Sequence, residues 1–76
     1  MNLNIKDIVT LSDDNKYQII SKTVYEDTVY YYLVDINDIS NIKFLYENVD
    51  KLTELEDQEL IKILLPRLFN EIKDLL

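Results

Sequence analysis

The chain has 76 residues, a net charge of −7, and no cysteine, histidine or glycine. Without cysteine or histidine it can form neither disulfides nor the common zinc centres, and it lacks the usual base of nucleophilic catalysis. Without glycine, a phosphate-cradling loop or a dinucleotide fingerprint is excluded as well.

A chain this short is expected to be one domain over residues 1–76, strand-rich over 5–55 and helical over 57–75. Residues 1–7 show no basic segment leading into an apolar run, so no signal peptide is expected, and no apolar stretch is long enough to span a membrane. Together with the lack of cysteine, this makes a cytoplasmic location the expectation. No cofactor is expected.

In chain order, the apolar run at 8–11 predicts a short strand, closed by the turn-forming cluster Ser12, Asp13, Asp14 and Asn15. Residues 17–25 are rich in β-branched and aromatic side chains, which suit a pleated surface. Glu26 and Asp27 interrupt the run and residues 28–36 resume it, which predicts a hairpin. With no glycine to take positive φ, that conformation is expected at Asp14, Asn15 and Asp27. Residues 37–41 read as a loop, 42–46 as a fourth strand, and about 49–52 or 49–55 as a short fifth. Consecutive strands favour an antiparallel meander, because parallel pairing needs long crossovers.

From Asp57 the hydrophobic period becomes helical. Leu60, Ile61, Leu64, Leu65, Leu68, Phe69, Ile72, Leu75 and Leu76 fall within one side of a helical wheel. Asp57 suits the N-cap and Glu59 complements the helix dipole. Pro66 and Lys62, the residue whose carbonyl Pro66 leaves unbonded, both fall on the polar side. One helix bent near Pro66 is therefore expected, and Pro66 opening a second helix is the alternative. Leu64, Leu68 and Ile72 are expected to be buried. The fold class is thus α+β: a four- or five-stranded antiparallel meander followed by a C-terminal amphipathic helix.

Catalysis finds no support in these residues. The three serines lie in no motif, and a carboxylate pair of glycosidase type needs a cleft that a domain this small has little room for. Residues 35–39 resemble the start of a calcium loop. However, Ser40 stands where that loop needs glycine and Tyr46 where it needs a bidentate glutamate, so a polar turn is the reading.

Two features point to partner binding. Strand alternation makes the third strand apolar on both faces, with Tyr30 and Tyr32 on one and Tyr31 and Leu33 on the other. One helix covers one face, so the other is expected to be open to a partner, with Tyr31 the more exposed and Tyr30, Tyr32 and Phe44 more core-like. The alternative is that a twisted sheet wraps these rings around its own core. Acids are the second feature: residues 35–59 carry eight against two lysines, including Asp35, Asp38, Glu47, Asp50, Glu54 and Glu56. Such a stretch repels nucleic acid and favours a basic protein surface, or simply confers solubility.

Tyr25-Glu26-Asp27-Thr28-Val29-Tyr30-Tyr31-Tyr32-Leu33 resembles the hairpin of the YrzB-like family of small bacterial proteins, typically Tyr-Glu-Gly-Lys-Glu-Tyr-Ala-Val-Leu. Tyr17-Gln18-Ile19, the strand at 42–47 and the Leu55-Glu56-Asp57 approach to the helix also fit, over about residues 7–60. Asp27 replaces the family's glycine, and Pro66 has no counterpart. The resemblance implies a strand-rich domain with a terminal helix, from a low-GC Gram-positive bacterium; it implies no activity and carries over no functional residue.

The functional expectation is a non-enzymatic protein-interaction module, an accessory protein of a bacterium or mobile element. Its partner would be another copy of the chain or a basic protein, with no direct nucleic-acid or membrane binding. The alternative is a phage-type inhibitor whose acids at 35–59 mimic nucleic acid and block a nuclease or DNA-binding protein.

Overall fold

In a computed structural model, residues 3–73 are described, with side chains described through residue 70. Five strands, β1 (Ile8–Thr10), β2 (Lys16–Tyr25), β3 (Thr28–Asp35), β4 (Asp38–Asn48) and β5 (Lys51–Glu54), precede one helix, α1 (Gln58–Lys73). Each strand pairs antiparallel with the next, so sheet order follows chain order and the expected meander is present.

Three local expectations are corrected. Residues 38–41 are not loop: β4 begins at Asp38, leaving Ile36 and Asn37 as the turn. Their polar composition masked a strand because the neighbouring aspartates satisfy the turn's backbone. Asp35 Oδ1 accepts from Asn37 N at 2.8 Å, and Asp38 Oδ1 accepts from Ser40 N at 3.1 Å. The fifth strand starts at Lys51, because Val49 and Asp50 form the β4–β5 turn. Finally, β2 carries a bulge. Ile19 pairs with Leu33 and Ser21 with Tyr32, so Ile20 is extra and every later β2 side chain changes face.

Two of the three tight hairpin turns have both central residues at positive φ, Glu26 (49°) with Asp27 (65°) and Val49 (49°) with Asp50 (64°), the signature of a type I′ turn. Asp14 is also at positive φ, as expected, but Asn15 is not, and Lys6 is an unforeseen member of the set. The turn type matches the right-handed twist of the flanking strands, and without glycine it falls on whatever residues occupy it. Val49 is the costliest case, since a β-branched side chain crowds its own backbone in this region. It is exposed, so changing it sacrifices no packing. Val49→Asn is expected to stabilise the fold by about 1 kcal/mol, read as a higher urea midpoint. A lower midpoint would mean that the turn is not strained.

The helix begins where its cap predicts. Asp57 Oδ1 accepts from Glu59 N at 3.1 Å and from Leu60 N at 3.2 Å. It runs through Pro66 without a break, so the one-helix reading holds over the two-helix alternative. Pro66 and Lys62 are both exposed, which leaves the unpaired Lys62 carbonyl to water. Pro66→Ala should therefore raise stability by about 1–2 kcal/mol, the gain in helix propensity less the extra freedom of the unfolded chain. Thermal melting checks this, and a fall in melting temperature would show that the ring is packed.

Leu64 and Leu68, one turn apart, are each 1% exposed, as expected. The expected burial of Ile72 lies beyond the described side chains. Phe69 stays half exposed, so the buried stripe is narrower than the wheel implied. Ser21, turned toward the helix by the bulge, donates from Oγ to the Leu68 carbonyl at 2.8 Å.

The core has two parts, one on each face of the sheet. Tyr30, Leu64 and Leu68 centre the helix side, with Tyr25, Tyr32, Phe44, Tyr46, Leu55 and Leu60 around them. Tyr17, Ile19, Tyr31, Leu33 and Leu45 centre the other side. There the sheet curls: Val9 and Leu11 from its first edge and Leu52 from its last edge pack on the same cluster. The segment before β1 closes the curl. Leu3 joins the cluster, its carbonyl accepts from Lys22 Nζ at 3.1 Å, and Lys6 N donates to the Ile19 carbonyl at 2.7 Å.

Candidate protein-binding surface

The expected open apolar face is not open. Tyr31 is 2% exposed and Leu33 0%, both enclosed by the curl, while Tyr30 is 9% exposed beneath the helix. Tyr32 is half-buried between Phe44, with ring centroids 5.4 Å apart, and Phe69, at 6.2 Å. The assignment of Tyr31 as an exposed residue is corrected: it is a core ring. Its hydroxyl donates to the Glu47 carboxylate. Large apolar side chains do remain exposed elsewhere, at Ile36, Ile39 and Ile42 near the β3–β4 turn and at Ile63 and Phe69 on the helix.

The acids separate into those that build the fold and those that face solvent. Asp35 is buried and accepts from Asn37 N and from Asn41 Nδ2, the latter at 3.2 Å. Asn41 Nδ2 also donates to the Tyr17 hydroxyl at 3.0 Å, which in turn donates to Asp13 Oδ2 at 2.7 Å. This chain ties the β1–β2 and β3–β4 turns together. It lowers the pKa of Asp13, chiefly through the Tyr17 hydrogen bond, and raises that of Tyr17 through the same bond. Glu47 is likewise occupied by Tyr31. These two acids, Asp35 and Glu47, are structural.

Asp38 is exposed, and hydrogen bonds from the Ser40 hydroxyl and backbone lower its pKa. It lies at the β3–β4 end of the sheet, whereas Asp50 lies in the β4–β5 turn at the opposite end, so the two cannot share one small contact. Glu54 and Glu56 are exposed where β5 leads into α1, and there the chain adds Asp57 and Glu59, also exposed. Lys43 Nζ lies 3.6 Å from Glu54 and Lys62 Nζ 3.7 Å from Glu59. Asp57 and Glu59 were counted from sequence within the acidic stretch 35–59 but assigned to the helix N-terminus rather than to a binding surface. Their spacing, four acids within six residues, is the signal that placed them beside Glu54 and Glu56.

Beside this acidic corner is an open hollow of about 570 Å³ lined by Tyr30, Tyr46, Glu54, Leu55, Glu56 and Leu60; the Glu54 side chain, opposite Leu45 and close to Lys43, turns to the other face of the sheet. Tyr30 and Tyr46 face each other across β3 and β4, with ring centroids 6.2 Å apart and planes tilted by 40°. Among the described residues no group of three or more acids is placed to hold a metal ion, and no helix is long and apolar enough to cross a membrane.

No family model, curated protein or solved structure matches the chain. The YrzB-like resemblance therefore rests on the residues that carry it.

Proposed function

We propose that this chain is a non-enzymatic interaction module that presents an acidic surface to a basic protein. The observation that supports this reading is the β5–α1 corner. Glu54, Glu56, Asp57 and Glu59 stand exposed within six residues, and among the described residues two lysines lie within ion-pairing reach of them. Partly neutralised, the corner keeps about two negative charges, and a field of that kind steers and orients a cationic partner. The absence of histidine, cysteine and glycine supports the non-enzymatic part. Of the apolar anchors considered from sequence, Tyr30, Tyr31, Tyr32 and Leu33, the pair Tyr31 and Leu33 is too buried to contribute to such a contact.

A lysine- and arginine-rich peptide of about 20 residues, with neutral and acidic peptides as controls, tests the proposal in a titration across salt. Affinity for the basic peptide is expected to fall steeply as salt rises, because exposed charges are screened within about 10 Å at 0.1 M. The triple variant Glu54→Gln, Glu56→Gln, Glu59→Gln should weaken it further. Binding that ignores both salt and these substitutions would overturn the reading. The nucleic-acid-mimic alternative makes a narrower claim: the chain and duplex DNA should compete for the same basic protein.

A further inference from the structure

We infer that the hollow between the sheet and the start of α1 seats the guanidinium of an arginine from a basic protein partner. This inference rests on the acidic-surface reading above and gives it a point of contact. Three independent features converge on that chemistry. Tyr30 and Tyr46 line the hollow with aromatic surface, and a planar guanidinium stacks well on such faces. Glu56 lines the hollow as well, and a carboxylate there accepts the N–H groups of a guanidinium.

The third feature is the Tyr30 hydroxyl. Tyr30 is 91% buried by its 9% exposure, and no described residue hydrogen-bonds to it. Every fully buried side-chain polar atom of the described residues does have a partner, so this hydroxyl must reach the surface, and its ring lines this hollow. With no protein partner, it is open to a hydrogen bond from water or from a ligand.

The other charges nearby do not cancel the site. Lys43 draws on Glu54 and Lys62 on Glu59. The helix N-terminus contributes about half a positive charge, which Asp57 meets through its contacts with Glu59 N and Leu60 N. Glu56 has no cation among the described residues within ion-pairing distance. The same face of the sheet already holds one such contact internally, with the Arg67 guanidinium 4.9 Å from the Tyr25 ring centroid.

The test uses acetylated, amidated hexa-arginine at 50 mM salt, with hexalysine as its comparison, and follows the chain by NMR. Hexa-arginine should move the ring resonances of Tyr30 and Tyr46 and bind about three- to tenfold more tightly than hexalysine. Glu56→Gln should weaken binding about threefold or more, and Tyr30→Phe, which keeps the ring, should weaken it as well. Melting temperatures close to that of the parent chain establish that neither variant acts through folding. If hexa-arginine binds but shifts only residues near Asp13, Asp38 or Asp50, the hollow is refuted while the acidic-surface reading stands. Equal affinity for hexalysine refutes the guanidinium assignment. No binding of either peptide overturns both readings.

Discussion

Tyr31→Ala is expected to remove most of the stability of the fold. Truncating a large buried aromatic ring costs about 3–5 kcal/mol, and a domain of this size has total stability near the low end of the usual 5–15 kcal/mol. Tyr31 is almost wholly enclosed among Tyr17, Ile19, Leu33 and Leu45, and its hydroxyl satisfies Glu47. Loss of far-ultraviolet dichroism at low urea is the reading that checks this. A Tyr31→Ala chain that unfolds at the urea midpoint of the parent would mean that the curled face is not a core.

The hydroxyl has a separate signature in alkali. Burial, then the hydrogen bond and charge of Glu47, raise the Tyr31 pKa above its ordinary value. The unfolded chain therefore releases this proton near the usual tyrosine value of about 10 while the folded chain still holds it. The stabilisation is complete below about pH 10 and is lost as pH rises beyond it. Tyr17, raised by its bond to Asp13, works in the same direction. Tyr31→Phe should give a shallower alkaline loss of stability than the parent, and an identical slope would remove Tyr31 as its source.

Leu68→Ala is expected to lower stability by about 2–5 kcal/mol through lost burial and the cavity left behind. Leu68 is the point at which helix and sheet are joined twice. Its side chain packs with Tyr30 and Leu64, and its carbonyl accepts the Ser21 hydroxyl. The substitution keeps the carbonyl, so the loss measures packing alone. Ile63→Ala, on the exposed side of the same helix, is the control and should change stability by less than about 0.5 kcal/mol. Urea unfolding compares the two, and a shift in midpoint at unchanged slope identifies a change in stability. Equal midpoints for both variants would mean that the helix does not dock through Leu68.

The charge pattern shows why position along the chain is a poor guide to a binding surface. Asp35, Asp38, Glu47, Asp50, Glu54 and Glu56 form one acidic stretch in sequence. A meander sends successive turns to opposite ends of the sheet and successive side chains to opposite faces. The stretch is thereby divided: Asp35 and Glu47 into hydrogen bonds inside the fold, Asp38 and Asp50 to opposite ends, and Glu54 and Glu56 to the helix corner. The hollow was not legible at all, since Tyr30, Tyr46 and Leu60 come from three elements.

The local decisions were written in the residues. Alternation and β-branching marked the strands, Asp57 and the helical period marked α1, and the placement of Pro66 and Lys62 on the solvent side allowed the helix to continue. The spacing of Tyr30, Tyr32 and Phe44 marked them as core-like, and the structure sets them against the helix. Tertiary structure decided the rest. Counting one helix against two apolar faces left open whether the second face binds a partner or wraps on itself; the twisted meander takes the second course and buries Tyr31 in its own core. The bulge at Ile20 decided that Ser21 would face the helix. Alternation specifies that a strand has two faces, but curvature and register depend on all five strands packing together, and no local run of residues carries that information.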